Sequence, residues 1–327
     1  MLKPYISSHL WVLGSFGERY VPNGYYEDMK LEKKLEAMSE IEGYNGILVF
    51  YPSDPLPDDP DKIVKMLANH GLKVANTAVE NFTDRKWRHG ALCTNEEKIR
   101  KENIKLCKEA VDFTAQIPGA SLRIWPAHDG FDYPFQVNYE EGWKYLVDSY
   151  RQICSHNPGV KISVEYKQKD PRQRQYISNI GKMMMLFNDV GMDNLTGALD
   201  TGHALMSQES LAEDVVILAM HNKLNEVHLN ENYRDSDPDL IFGTIMFWEN
   251  LELYYYLNKY KFSGWHEIDI ITPRDDRIKA LRLAVKMTLK YDELAKRLLE
   301  HRDKIETNLG GYHFSDNMEL ICDLLFK

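Results

Sequence analysis

Along the chain, short apolar runs alternate with longer segments in which apolar residues recur at helical spacing, and the alternation repeats about eight times. The short runs predict strands over His9–Leu13, Gly46–Tyr51, Lys73–Val79, Ser121–Trp125, Lys161–Glu165, Leu195–Asp200, Glu226–Leu229 and Gly264–Ile270. Between them lie amphipathic stretches such as Ile63, Val64, Met66 and Leu67, followed by Gly71 where a helix C-cap is expected. No Gly/Ser/Pro-rich linker interrupts the series. Eight such units predict one α/β domain, a single (β/α)8 TIM barrel over residues 1–300, in preference to a doubly wound sheet. After Tyr291, a helix carrying Leu294, Leu298 and Leu299 runs into a C-terminal helical extension, residues 301–327. The apolar end of that extension, Leu320, Ile321, Leu324, Leu325 and Phe326, is expected to pack on the barrel or on a partner subunit.

In such a barrel the loops that follow the strands build the active site, so polar residues at strand C-terminal ends carry the most weight. The loops Gly14–Tyr26 and Asn81–Thr94 are long for strand-to-helix connections and are expected to cover the barrel mouth. In the segment from Val164 to Arg172 a β-branched run stops abruptly and releases charge. Because strand side chains alternate, Glu165 and Lys167 share one wall and Tyr166 takes the other. The sixth strand ends in Asp200, with His203 three residues on. The seventh brings His228 and Asn230, with Asp237 and Asp239 in the loop beyond, and the eighth brings Glu267 and Asp269. Carboxylates and imidazoles at the ends of four successive strands are a donor set for a hard-to-borderline divalent ion.

Composition narrows the partners. With 43% hydrophobic residues, 28% charged residues and a net charge of −10, the chain reads as globular, and its field repels phosphate backbones. No nucleic acid and no membrane are expected as partners, since no window approaches the length of a bilayer span and Met1–Tyr5 lacks the apolar core of a signal peptide. The 4 cysteines show no CxxC spacing, which points to a reduced, cytoplasmic setting.

The motifs resemble those of xylose isomerase. Its E-P-K-P-x-E-P-R is matched by Glu165 to Arg172, its N-L-F-T by Asn81-Phe82-Thr83, and its W-G-G-R-E-G by Trp125 to Gly130. Its D-Q-D-L-R-F-G is matched by Asp237 to Gly243, and its D-F-K-P-P-R by Asp269 to Arg274. The resemblance implies one metal on Glu165, Asp200, His228 and Asp269, with Glu267 as the alternative ligand of the eighth strand. It also implies a possible second metal on His203, Asp237 and Asp239, bridged by Asp200. Lys167 would bind the substrate carbonyl oxygen, and Trp11, Phe82 and Trp125 would form an apolar wall excluding water.

The chain departs from xylose isomerase at Asp200 and His228, which stand where that family has glutamate and aspartate, and at Tyr51 or a neighbour, where it has histidine. The Glu, Asp-x-x-His and His set is instead similar to rhamnose isomerases and ketose 3-epimerases. In the epimerases an arginine six residues past the strand-seven histidine contacts the sugar, a place held here by Arg234. His203 also faces the expected substrate. The resemblance therefore implies a divalent-metal-dependent isomerase or epimerase of a free aldose, ketose or keto-sugar, with Mn2+ ahead of Co2+ or Mg2+. Glu165, Lys167 and Asp269 would be catalytic, and His128, at the tip of the fourth strand, would be a general base. Two metals are favoured over one, which would make the transfer a hydride shift. An alternative is the catalytic subunit of a C-glycoside deglycosylase, a lyase working with a smaller partner subunit; self-association into a homo-oligomer is expected in either case. An apurinic-site endonuclease is disfavoured because Tyr51, Ala78 and Asp239 stand where its three zinc ions need histidines. A sugar sensor without activity is disfavoured by the intact ligand positions.

Overall fold

A computed structural model describes residues 3–52, 55–57 and 59–326. The outermost residues of the expected domains, Met1, Leu2 and Lys327, lie outside the described residues. Eight parallel strands close into a barrel: β1 (Tyr5–His9), β2 (Tyr44–Tyr51), β3 (Lys73–Val79), β4 (Leu122–Ile124), β5 (Ile162–Glu165), β6 (Leu195–Asp200), β7 (Leu224–Leu229) and β8 (Trp265–Ile268). Each pairs with its sequence neighbours, and β8 returns to β1 through the register Tyr5↔Trp265 to Ser8↔Ile268. Closure leaves no edge strand exposed. The helices α1 (Leu31–Ser39), α2 (Pro60–Asn69), α3 (Glu97–Thr114), α4 (Tyr139–His156), α5 (Ile180–Val190), α6 (Thr201–Met206), α7 (Leu211–Met220), α8 (Phe247–Lys259) and α9 (Arg277–Leu299) intervene between strands or follow the last. A short antiparallel ribbon, Gly130–Phe131 with Arg174–Gln175, joins the loops after β4 and β5.

Local chemistry sets the ends of these elements. α2 begins at Asp59, whose carboxylate accepts from the Lys62 amide at 3.2 Å, with Pro60 at the first helical position, and Gly71 takes φ +71° just past its end. The expected first strand is displaced. β1 stops at His9, and Leu10–Leu13 fold into a 3-10 turn closed by the Gly14 amide on the Trp11 carbonyl. Ser7 and Ser8 hid the real strand, because both point into polar buried surroundings: the Ser8 hydroxyl meets the Tyr44 hydroxyl at 2.7 Å. The other strand limits shift by one or two residues where they shift at all.

Two contacts hold the long loops over the mouth. Arg277 donates to the carbonyl of Leu13 at 2.9 Å and lies over the Tyr26 ring, which fixes the loop after β1. The buried Asp129 carboxylate accepts from the amides of Ala91, Leu92 and Cys93, which fixes the loop after β3 onto the loop after β4. At the far end, α10 (Arg302–Gly310) and α11 (Phe314–Leu325) follow α9, and Leu320, Ile321, Leu324 and Leu325 rest half-buried against the barrel's hydrophobic core.

His266 on β8 faces away from the barrel axis, stacked on Tyr254 of α8 with its Nδ1 3.1 Å from the Tyr254 hydroxyl. Burial, reinforced by Lys296, lowers its pKa to about 3. A histidine with a depressed folded pKa binds its proton more readily when unfolded, so its contribution is intact above pH 6.5 and is lost as pH falls toward 3. Acid titration of unfolding free energy is expected to be shallower in His266→Gln than in the parent by up to about 1.4 kcal/mol per pH unit in that window. Parallel slopes would show that His266 does not couple to folding.

Candidate metal centre and active-site cavity

The site is built on strand ends. Glu165 closes β5, Asp200 closes β6, His228 is the penultimate residue of β7, and Asp269 follows β8. Each offers one ligand atom, and those atoms all lie within 4.8 Å of one another. Asp200 is fixed twice. Its Oδ1 caps α6 by accepting from the His203 amide at 2.9 Å, and its Oδ2 accepts from Asn230 Nδ2 at 2.9 Å. Gly202 makes that arrangement possible, since a Cβ there would fall 1.8 Å from Asn230 Oδ1 and 2.8 Å from Asp237 Oδ1. His228 Nδ1 faces Glu165 Oε2 at 3.5 Å and Asp200 Oδ2 at 3.9 Å, and its Nε2 faces Glu226 and Glu267 at 3.6 Å each.

The charges are strongly interdependent. Burial works against ionisation of Glu165, yet Arg123 and His228 beside it bring its pKa down to about 2. Burial raises the Asp200 pKa to about 6, with Asp237 and Glu165 adding to the rise against the pull of His203. His203 is raised to about 9 despite burial, by Asp200 and Asp237. Carboxylates packed this closely favour a cation among them. The buried Nδ1 of His203 has no hydrogen-bond partner and lies 3.4 Å from Glu165 Oε1.

The residues expected to hold a second ion are arranged differently. His203, Asp237 and Asp239 are not gathered into such a group among the described residues. Lys167 is there instead: its Nζ sits 2.8 Å from Asp237 Oδ2, and His203 Nε2 approaches the same oxygen at 3.1 Å. Burial disfavours the Lys167 charge, but Asp237 and Asp239 hold its pKa above the ordinary lysine value. Asp239, buried beside Asp237 and Asp269, has its carboxyl pushed well up.

These groups line a cavity of about 580 Å3, within the range that encloses small organic ligands. Glu165, Lys167, His203, Asp237, Asp239 and Asp269 form one side. Aromatic rings form the other: Trp11 stacks on Phe50 at 4.4 Å, and Phe82 meets Trp125 edge-on at 5.0 Å. Two sequence-predicted residues lie elsewhere. His128 is bonded through Nε2 to the Phe82 carbonyl at 2.9 Å and lines a neighbouring cleft, not this cavity. Arg234 pairs with Glu249 at 3.5 Å and donates to the Glu209 carbonyl, away from the cavity lining.

Sequence reasoning missed four contributors. His9 Nε2 lies 2.7 Å from Asp269 Oδ1, Phe50 completes the aromatic wall, and Glu226 lies beneath His228. Arg123, buried on β4, lies 3.4 Å from both Glu165 and Glu267, with its guanidinium against the His228 ring. The one signal was an arginine inside the apolar run Leu122-Arg123-Ile124, where a charge needs either solvent or a buried counter-charge that sequence spacing does not supply.

A family model described as a xylose isomerase-like TIM barrel matches residues 35–291. A xylose isomerase of Listeria welshimeri is 19% identical over 193 residues, 58% of this chain and 43% of that protein, so the chain spans less than half the length of that relative. Among solved structures, an L-ribulose 3-epimerase superposes with a TM-score of 0.71 at 15% identity, covering 91% of this chain and 97% of that one. A 3-keto-D-glucoside 4-epimerase from E. coli gives 0.64 at 14% identity, covering 88% and 99%. At these identities the superpositions establish the shared barrel.

The position of Glu226 yields a prediction separable from activity. A carboxylate on the far nitrogen of a ligating imidazole orients the ring and raises its basicity, and removing such a partner weakens metal binding about 10- to 100-fold. Titration of Mn2+ followed by calorimetry is expected to show a loss of that size in Glu226→Gln, with unchanged circular dichroism. Equal affinities would show that His228 does not depend on Glu226.

Proposed function

The chain belongs to the xylose isomerase-like TIM-barrel family, and from that premise we propose that it is a divalent-metal-dependent sugar isomerase or epimerase acting beside a carbonyl carbon. The observation that carries this reading is the convergence of Glu165, Asp200, His228 and Asp269 within 4.8 Å at the base of a cavity with one ionic and one aromatic side. Those residues would hold one ion, and three carboxylates with one imidazole favour Mn2+, with Co2+ or Mg2+ as substitutes. The ion would supply Lewis acidity to polarise the substrate carbonyl.

The chain's own residues supply the rest. Trp11, Phe50, Phe82 and Trp125 offer flat apolar surface to the C–H face of a sugar ring or chain and shield the reacting carbons from water. Lys167, kept charged by Asp237, presents a fixed cation to an oxygen that gains negative charge. Glu165 at the end of β5 and Asp269 just after β8 would take a proton from, or return one to, carbon beside the carbonyl. Isomerisation follows when the proton returns to the adjacent carbon while the hydroxyl proton passes to the former carbonyl oxygen, and epimerisation when it returns to the same carbon on the opposite face.

Because Lys167 neutralises Asp237, proton transfer at a one-ion site is preferred here over a hydride shift between two ions. A panel of ketoses and aldoses assayed with Mn2+ in D2O is expected to yield product carrying solvent deuterium at the reacting carbon. Calorimetry is expected to give one Mn2+ per chain, and Asp200→Asn should abolish both binding and turnover. Two ions per chain with full retention of a substrate label would replace this mechanism by hydride transfer.

A further inference from the structure

A second cleft of about 480 Å3 opens beside the first and shares two of its walls, Phe82 and Trp125. Its other lining includes Arg85, Arg88, His128 and Pro171. The loop after β3 supplies the arginines and the loop after β4 supplies His128; the Asp129 carboxylate locks those two loops together, so the cleft is preformed.

The charges that face this cleft are unequally committed. Asp84 accepts from the Lys86 amide at 2.9 Å and lies 3.8 Å from its ammonium, while Asp170 lies 3.4 Å from Lys167. Lys86 itself is held by Glu102 at 2.7 Å. Each acid therefore has a lysine nearby, although Lys86 lies closer to Glu102 and Lys167 lies closer to Asp237, at 2.8 Å. Arg85 and Arg88 are exposed, and neither has a side-chain hydrogen bond or ion pair among the described residues. Two buried polar atoms on the same walls also lack partners: Trp125 Nε1, which can only donate, and His128 Nδ1. The Phe82 carbonyl can only accept, so His128 Nε2 donates to it, and Nδ1 is the ring nitrogen left without a partner. The cleft thus offers two free guanidinium groups beside an indole and an imidazole whose unpartnered nitrogens lie beneath its surface.

We infer that this cleft is an outer subsite for an anionic substituent, so that the sugar taken by the inner cavity is an acidic conjugate, not a small free sugar. The inference rests on the proposed sugar chemistry of the inner cavity for the identity of the reacting end only. The aromatic edge shared by Phe82 and Trp125 is the bridge between the two chambers. A carboxylate or phosphate beyond it meets the arginines, whose planar forks match both groups.

The test uses the full-length protein with no added metal and 15N-labelled tryptophan, with the Trp125 indole resonance assigned by its loss in Trp125→Phe. Methyl β-D-glucuronide, methyl β-D-glucoside and inorganic phosphate are titrated separately. The Trp125 signal is expected to shift saturably with the glucuronide about tenfold more tightly than with the neutral glucoside, as charge-assisted contacts require. That margin is expected to vanish in the double variant Arg85→Ser/Arg88→Ser. A stronger response to phosphate than to glucuronide would assign the anion as a phosphate ester; the reverse would assign a uronate. No anion-dependent shift, or an equal shift in the double variant, would overturn the subsite. Mn2+ calorimetry on the same proteins separates the two readings: absence of Mn2+ binding would sink the inner-site chemistry and leave the anion titration to decide the outer cleft.

Discussion

The barrel's interior is organised by the cost of burying like charges. Glu165, Asp200, Glu226 and Glu267 are fully enclosed and Asp269 nearly so, around a single guanidinium, that of Arg123. Uncompensated, such a set would ionise only at severe cost, and its members' pKa values would climb. The fold answers by placing cations at defined points, Arg123 between Glu165 and Glu267, His203 against Asp237, and His228 between the upper and lower carboxylates, while His9 is hydrogen-bonded to Asp269. Glu165 and Asp269 are held ionised as a result, while Asp200 is left with a raised pKa of about 6. A divalent ion among the upper four would complete a compensation that the side chains leave unfinished.

This arrangement needs a scaffold that does not relax. Short strands in a closed parallel ring put each ligand on backbone that is hydrogen-bonded on both sides, and the strand ends face one mouth. Secondary contacts remove the remaining freedom of the side chains. Asp200 is both helix cap and acceptor from Asn230, and Tyr166, turned to the opposite face from Glu165, donates at 2.8 Å to Glu209 outside the barrel. Packing on the outer face thereby fixes the direction in which the inner carboxylate points.

Much of this was legible in the sequence because it follows from period. The alternation of short apolar runs with helical segments located seven of the eight barrel strands to within two residues, and five polar positions at strand ends, Glu165, Lys167, Asp200, His228 and Asp269, fall in or against the cavity or its ligand group. What was illegible had physical causes. Serines inside β1 broke the apolar signal, so the strand was read four residues late, and His9 was taken as a strand start when it is a strand end facing Asp269. Arg123 and Glu226 lie in strand interiors, where a charge reads as a surface residue until the barrel supplies its counter-charge. The commitment of Lys167 to Asp237 depends on how the loop after β7 folds back, which spacing does not define.

That commitment also separates the two chambers electrostatically. Each cation that lines the inner cavity, Lys34, Lys167, Arg123 or His203, is already matched to a carboxylate, so among the described residues the inner chamber has no spare positive charge for an anionic ligand. Past the edge of Phe82 and Trp125 the balance differs, because Asp84 and Asp170 each have a lysine nearby, at 3.8 and 3.4 Å, whereas the guanidiniums of Arg85 and Arg88 have no partner among the described residues. In a chain with a net charge of −10, two free arginines beside an acidic active site oppose the general field. A ligand with a neutral carbonyl end and an acidic far end would be oriented by this gradient before any hydroxyl is read, its anion drawn outward and its carbonyl left beside Glu165 and Lys167.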